Sequence, residues 1–450
     1  MKKILSGILY GILLGFAVLM FIACIYLIVN TTKRNSIGYL ETDVLKIDEK
    51  VGNDTAAYND IDTEVSSEMT CGYVEINLKY AYNILDSENK RNLYEKIDEN
   101  VYSVSEEKDD NGHYRIARLR VDGERMSEFD IREVINAYIY DNPHIFWLEN
   151  LFGYAYADED TILEFYSVLS ADECEDCIKL FNKKINEIIS SLKPTLTEYE
   201  REKILHDKLL NGCKYKKGID SSKDGWQYFS AYGALVMGEA VCEGYAKSMQ
   251  ILLSKAGIPC LTLRGESNGV SHMWNVVELN NEWYHLDPTW DDNDGDGFIV
   301  YEYFNLDSEN IGRTHKINAD IETVMSGEHD ETLNSRYNFF VPLCTSMNMN
   351  YYNKEGVFIE KFDSETDSKV IDEMVERVNA NENYLPLRFG DSMKYSEYVN
   401  MMFYQSPYKY YYYIDHANDM LDEKISKNSI SVLKNEFNSV LRVKLVTENK

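Results

Sequence analysis

Gly238-Glu239-Ala240-Val241-Cys242-Glu243-Gly244-Tyr245-Ala246 opens a helix. Downstream, Tyr245, Met249, Leu252 and Ala256 recur at helical intervals, with Ala246 and Leu253 beside them. Gly257 suits a left-handed cap, and Pro259 bars continuation. Cys242 is therefore expected at the N-terminal end of that helix. There the macrodipole and the free amide groups favour a thiolate, and the same amides can donate to an oxyanion. Buried cysteines are common and usually inert, so the position needs a partner before it means catalysis.

Two strands follow. His272-Met273-Trp274-Asn275-Val276-Val277-Glu278-Leu279 runs into Asn280-Asn281 and then Glu282-Trp283-Tyr284-His285-Leu286-Asp287. An Asn-Asn pair suits the positive φ angles of a tight hairpin turn. With the turn centred there, Asp287 opposes Trp274 and His272 opposes Thr289. His272 and Asp287 then share one face as diagonal neighbours, with Cβ atoms about 7–8 Å apart or somewhat less. That is within reach of a His–carboxylate hydrogen bond, the geometry of a base and its orienter. A slip of one residue destroys it. His285 falls on the same face as a rival base, its simpler reading being a surface or core-edge histidine. His206, in Ile204-Leu205-His206-Asp207, reads as a helix residue meeting a core partner.

The run from Tyr232 to Trp290 closely resembles the bacterial transglutaminase-like domain, part of the papain-like cysteine-enzyme superfamily, in its membrane-anchored surface type. The matching pieces are AYGALVMGEAVCEGYAKSMQILLSKAGIPC (231–260) and SHMWNVVELNNEWYHLDPTWDD (271–292). EREKILHDKLLNGCKY (200–215) resembles the family's lead-in helix, and YEYFNLDSENIGRTH (301–315) its exit. The likeness spans roughly residues 196–316. It implies a papain-like α+β core, Cys242 as nucleophile, His272 as base and Asp287 as orienter, with acyl transfer through a thioester. Animal transglutaminases place an aromatic oxyanion partner upstream of the nucleophile, and Trp226, Tyr228 and Tyr232 all qualify here.

Shortly after Asp287 comes Asp292-Asn293-Asp294-Gly295-Asp296-Gly297. An EF-hand-like Ca²⁺ loop using Asp292, Asp294 and Asp296 needs a bidentate Glu at its twelfth position. Tyr303 stands there, with Glu302 one residue early, so a solvated acidic turn is the simpler expectation and no cofactor is required. Cys174 and Cys177 form a lone CxxC without the second pair that a zinc site needs.

The 450 residues exceed one ordinary core. Residues 1–30 read as an uncleaved transmembrane signal anchor, because Ile4 to Val29 carries no charge and reaches about 39 Å as a helix. Residues 31–70 read as an acidic stalk, 71–194 as a helix-rich N-terminal domain, 195–320 as the catalytic domain and 335–450 as a small α+β domain. Strands are expected at Tyr114–Val121, Tyr337–Leu343 and Gly356–Lys361, and helices near 364–379 and 429–437. Ile178, Leu180, Phe181, Ile185 and Ile188 mark an amphipathic helix, and Tyr408–Tyr413 suggests a strand covered on both faces, with a tyrosine binding surface as the alternative. A net charge of -30 argues against a nucleic-acid partner. The expected protein is thus single-pass at the cell membrane, with an extracellular catalytic domain acting on protein or peptide substrates. Hydrolysis as a peptidase or amidase is favoured, because water is always present; protein crosslinking and a non-catalytic adaptor are the alternatives.

Overall fold

The computed structural model describes residues 43–46 and 76–448, apart from 77, 111, 124, 220–224, 293–298, 326–331, 391, 429 and 437. The expected anchor at 1–30 lies outside the described residues, as does all of 31–70 except β1 (Asp43–Lys46). Among the described residues no helix is long and apolar enough to cross a membrane. The architecture is mixed α+β.

Among the described residues, four helices begin where a hydroxyl satisfies a first-turn amide. Ser87 caps α1 (Glu88–Asn100) and Ser127 caps α2 (Glu128–Asp141). Reciprocal capping boxes, Ser170 with Glu173 and Thr197 with Glu200, start α3 (Ala171–Ile189) and α4 (Glu198–Gly212). On α3 the buried stripe is Ile178, Phe181, Ile185 and Ile188, whereas Leu180 faces solvent. It sits two positions from Ile178, which a helix turns to another face. Strands β2 (Tyr114–Val121), β3 (Leu148–Ala157) and β4 (Asp160–Ser167) join β1 in a sheet ordered β1-β3-β4-β2.

Past α4 come the short strands β5 (Lys214–Tyr215) and β6 (Glu239–Ala240), then α5 (Cys242–Lys255). Strands β7 (Cys260–Ser267), β8 (Val270–Leu279), β9 (Glu282–Leu286) and β10 (His315–Ile317) form an antiparallel sheet ordered β10-β7-β8-β9. Asn280 and Asn281 both have positive φ, 50° and 62°, and pair Asn275 with Leu286 and Val276 with His285. That is the expected register. One hydrophobic cluster runs from Ile76 to Tyr352 and takes in Val440, so α2 and α5 share a core.

Strands β11 (Ile321–Met325) and β12 (Thr332–Arg336) pair antiparallel, and beyond them β13 (Val357–Ile359), β14 (Tyr384–Phe389), β15 (Ser431–Asn435) and β16 (Val440–Lys444) form a second mixed sheet with its own core. Three local expectations are corrected here. Tyr408–Tyr413 leads into a helix, Lys409–Met420, which buries Tyr410, Tyr413, Ile414 and Ala417 at helical spacing. Residues 431–435 form β15 because Ser431–Asn435 pairs along β16. Tyr337–Leu343 makes no strand: the Asn338 side chain takes a strand's place, accepting from Arg264 N at 2.8 Å and donating to Arg264 O at 2.9 Å.

The chain at 226–230 crosses the first turn of α5. Val241 N donates to Tyr228 O at 2.9 Å, and a Cβ on Gly244 would lie 2.6 Å from Ala240 Cβ and 2.8 Å from Ser230 O. Helix propensity alone would make Gly244→Ala stabilising by about 1 kcal/mol. The crowding reverses the sign, and a net loss of about 1–3 kcal/mol is expected, read as a lower urea midpoint.

Candidate active site

Cys242 is the first residue of α5, and Val241 before it is extended and offers no side-chain cap. Val241 therefore brings no hydroxyl to compete for the first-turn amides. His272 stands on β8, and Asp287 follows β9, where Oδ1 caps the short helix α6 (Pro288–Asp291) by accepting from Thr289 N at 2.9 Å and Trp290 N at 3.2 Å. The other oxygen, Oδ2, lies 2.6 Å from His272 Nε2. His272 also hydrogen-bonds Cys242. With Nε2 engaged by the carboxylate, Nδ1 is left to meet the thiol. All three side chains are buried.

Their charges are coupled. Burial resists charge on His272, but the Asp287 carboxylate and then Cys242 overcome it and push its pKa up to about 10. Burial likewise opposes ionisation of Asp287, yet His272 and His315 together hold its carboxyl below the ordinary range.

His315 carries no signal of its own in the sequence beyond closing the exit motif YEYFNLDSENIGRTH. Its Nε2 lies 2.9 Å from the same Asp287 Oδ2, and Thr314 Oγ1 lies 2.8 Å from its Nδ1. The ring packs against Trp274, His272, Tyr303 and Trp290, with centroids 5.0, 5.3, 5.4 and 5.7 Å away. No periodicity links it to a carboxylate 28 residues upstream. The ligand atoms of His272, Asp287 and His315 lie within 4.8 Å of one another, close enough to share a metal ion. Such an ion would have to displace both N–H protons and would take His272 from its hydrogen bond to Asp287.

The remaining expected residues divide. His285 is buried; Trp274 Nε1 donates to its Nδ1 at 3.2 Å, and its Nε2 faces Ser308 Oγ at 3.3 Å. Burial, aided by His315, pushes its pKa down to about 3, so it stays neutral as a core histidine. His206 is a buried residue of α4 between Asp207 (3.2 Å) and Asp291 (3.3 Å), and these carboxylates raise it to about 9 against the cost of burial. Trp226 stacks on Phe146 with centroids 5.5 Å apart, and Tyr232 joins that cluster with its hydroxyl bonded to the Cys177 thiol. Tyr228 lends its backbone carbonyl to Val241, while the Lys216 ammonium sits 4.7 Å from its ring centroid. Asp292 accepts from the Tyr245 hydroxyl, and Asp294 and Asp296 lie outside the described residues.

The coupled charges set a pH window. A depressed Asp287 stabilises the fold above its ordinary 3.8, and that gain is lost as pH falls. A raised His272 stabilises it below its ordinary 6.5, and that gain fades as pH climbs toward about 10. Both act fully between about 4 and 6.5. The gap in urea midpoint between wild type and Asp287→Asn should be widest in that window and shrink on either side. A gap unchanged from acid to alkaline pH would contradict the charged pair.

Residues 186–288 match the family model of the transglutaminase-like superfamily. The human and mouse kyphoscoliosis peptidases are each 27% identical over 119 residues, covering 24% of this chain and 18% of theirs. The chain thus spans less than a fifth of those relatives. A crystal structure of a TGase is similar at 14% identity, covering 41% of this chain and 51% of that one, with a TM-score of 0.23. A candidate cysteine protease from Cytophaga hutchinsonii is similar at 12% identity, covering 43% and 73%, with a TM-score of 0.21. Residues 186–288 of this chain are a domain of the transglutaminase-like superfamily.

Proposed function

We propose that this domain is a cysteine acyl-transfer enzyme for protein or peptide amide groups, with water as the favoured acceptor. The observation that carries this reading is the pair of hydrogen bonds on His272, one to Asp287 and one to Cys242. In the proposed reaction His272 Nδ1 holds the thiol proton while the Cys242 sulfur attacks the amide carbonyl. The oxyanion meets the backbone amides at the start of α5. The C–N bond then breaks, the amine leaves with the proton from His272, and a thioester remains on Cys242. Water, deprotonated by His272, attacks that thioester and releases the acid, returning the proton to the Cys242–His272 pair. The names of the human and mouse relatives, both peptidases, agree with hydrolysis. We also propose that residues 1–30 anchor the chain in a membrane with the catalytic domain outside, from the uncharged run Ile4 to Val29.

Mass spectrometry of the purified protein incubated with a casein-like protein and a biotinylated amine tests the chemistry. Cleavage or deamidation without amine incorporation is expected, falling by roughly 10⁴ or more in Cys242→Ala. Amine incorporation lost in the mutant would make the enzyme a crosslinking transferase instead. Equal outcomes for wild type and mutant would refute catalysis by Cys242.

A further inference from the structure

We infer that His315 is a positioning residue of the site, holding Asp287 Oδ2 in line with His272 through a second hydrogen bond to the same oxygen. The inference rests on the acyl-transfer reading for its function but on geometry for its content. Asp287 is fully buried, and its two oxygens are treated differently. Oδ1 is fixed by two backbone amides of α6, at 2.9 and 3.2 Å. Oδ2 meets two imidazoles, His272 Nε2 at 2.6 Å and His315 Nε2 at 2.9 Å.

An sp² oxygen offers its lone pairs in two directions within the carboxylate plane. With His315 on one, the other is aimed at His272, and rotation about the carboxylate axis would break both bonds together. The His315 ring is itself held. Thr314 Oγ1 lies 2.8 Å from Nδ1, and the rings of Trp274, Trp290 and Tyr303 enclose it. Only 5% of the residue is exposed, which leaves no wide path for water to take its place as donor.

The titratable groups facing this cluster come from every neighbouring element. Cys242 comes from α5, His272 from β8, His285 from β9, Asp291 from α6 and Tyr303 from the segment after it. His315 alone among them shares Oδ2 with His272. A buried carboxylate with one partner fewer is free to turn away from the base, and the Cys242–His272 pair then loses its support.

The test compares His315→Asn, too short to reach Oδ2, with His315→Gln, whose amide nitrogen can occupy the place of Nε2. The full chain is labelled with iodoacetamide across a range of pH, and alkylation of Cys242 is followed by peptide mass, with the melting temperature as a check on folding. His315→Asn should slow labelling at neutral pH about tenfold and move the half-maximal pH up by about one unit, since one unit corresponds to a tenfold change. His315→Gln should stay within about threefold of wild type with an unshifted profile, a rescue that mere space-filling would not produce.

Wild-type behaviour in both folded variants overturns the inference, and so does an equal loss in both. If His315→Asn does not fold, His315→Gln decides alone: a retained profile supports the inference and a tenfold loss overturns it. Labelling needs no turnover. A wild type inert toward every substrate, with the Asn and Gln variants still differing, would sink the acyl-transfer reading and leave the positioning role standing.

Discussion

A carboxylate with no access to water has to be compensated, and Asp287 is such a group. Four donors converge on it: the amides of Thr289 and Trp290, and the imidazoles of His272 and His315. Each arrives from a different constraint. The amides are available because Pro288 starts a helix just after β9, and proline at the first helical position leaves no donor wasted. His272 arrives because the Asn280–Asn281 turn sets the register of β8 against β9. His315 arrives because the chain returns to the far edge of the sheet as β10. Loss of any one leaves a buried charge with fewer partners, so the fold and the site stand on one interaction.

The support extends outward through the segment after α6. Asp287 N donates to Tyr303 O at 3.1 Å, and Tyr303 N donates to Asp291 Oδ1 at 2.8 Å. Its neighbour Glu302 accepts from Asn435 Nδ2 at 2.7 Å, and Asn438 Nδ2 donates to Glu302 O at 3.2 Å. Arg442 of β16 bonds the Ile299 carbonyl and lies over the Tyr301 ring. The sheet of β13 to β16 thus grips the strip of chain that locks Asp287 in place. Behind it, His206 on α4 meets Asp291 from within the core. A second row of buried polar groups therefore backs the first, and such rows specify one arrangement when their members are paired.

Much of this was legible in the sequence because it rests on local rules. Helical spacing after Cys242, the Gly257 cap and the Asn-Asn turn each act over a few residues, and together they put Cys242 on a helix end and His272 beside Asp287. Periodicity failed where composition made it ambiguous. Adjacent tyrosines at 410–413 carry no alternation, and only packing in the second core shows that Tyr410 and Tyr413 face inward. The stretch at 431–435 reads as either period until β16 lies beside it. At 337–343, an asparagine side chain supplies bonds that a pattern assigns to backbone. The oxyanion partner stayed open among three aromatics because their order along the chain says nothing about where each ring turns.

His315 was hidden for a stricter reason, and Gly265 shows it. In the sheet order β10-β7-β8-β9, β7 separates the strand of His315 from the strand of His272. Gly265 pairs with His272 on one side and Ile317 on the other, and opposed residues share a face. His315 opposes Ser267, two positions from Gly265, so both histidines project on that face with Gly265 between them. A Cβ at 265 would come within 2.8 Å of the Trp274 ring and 2.3 Å of Lys316 O. The missing side chain lets Trp274 lie flat against β7, and Trp274 is the wall on which both imidazoles rest, with centroids 6.0 Å from His272 and 5.0 Å from His315. A glycine in a strand, a tryptophan two residues past His272 and a histidine at the end of a distant loop become one device only when three strands are laid side by side. Sequence spacing carries the first bond to Asp287, and sheet order carries the second.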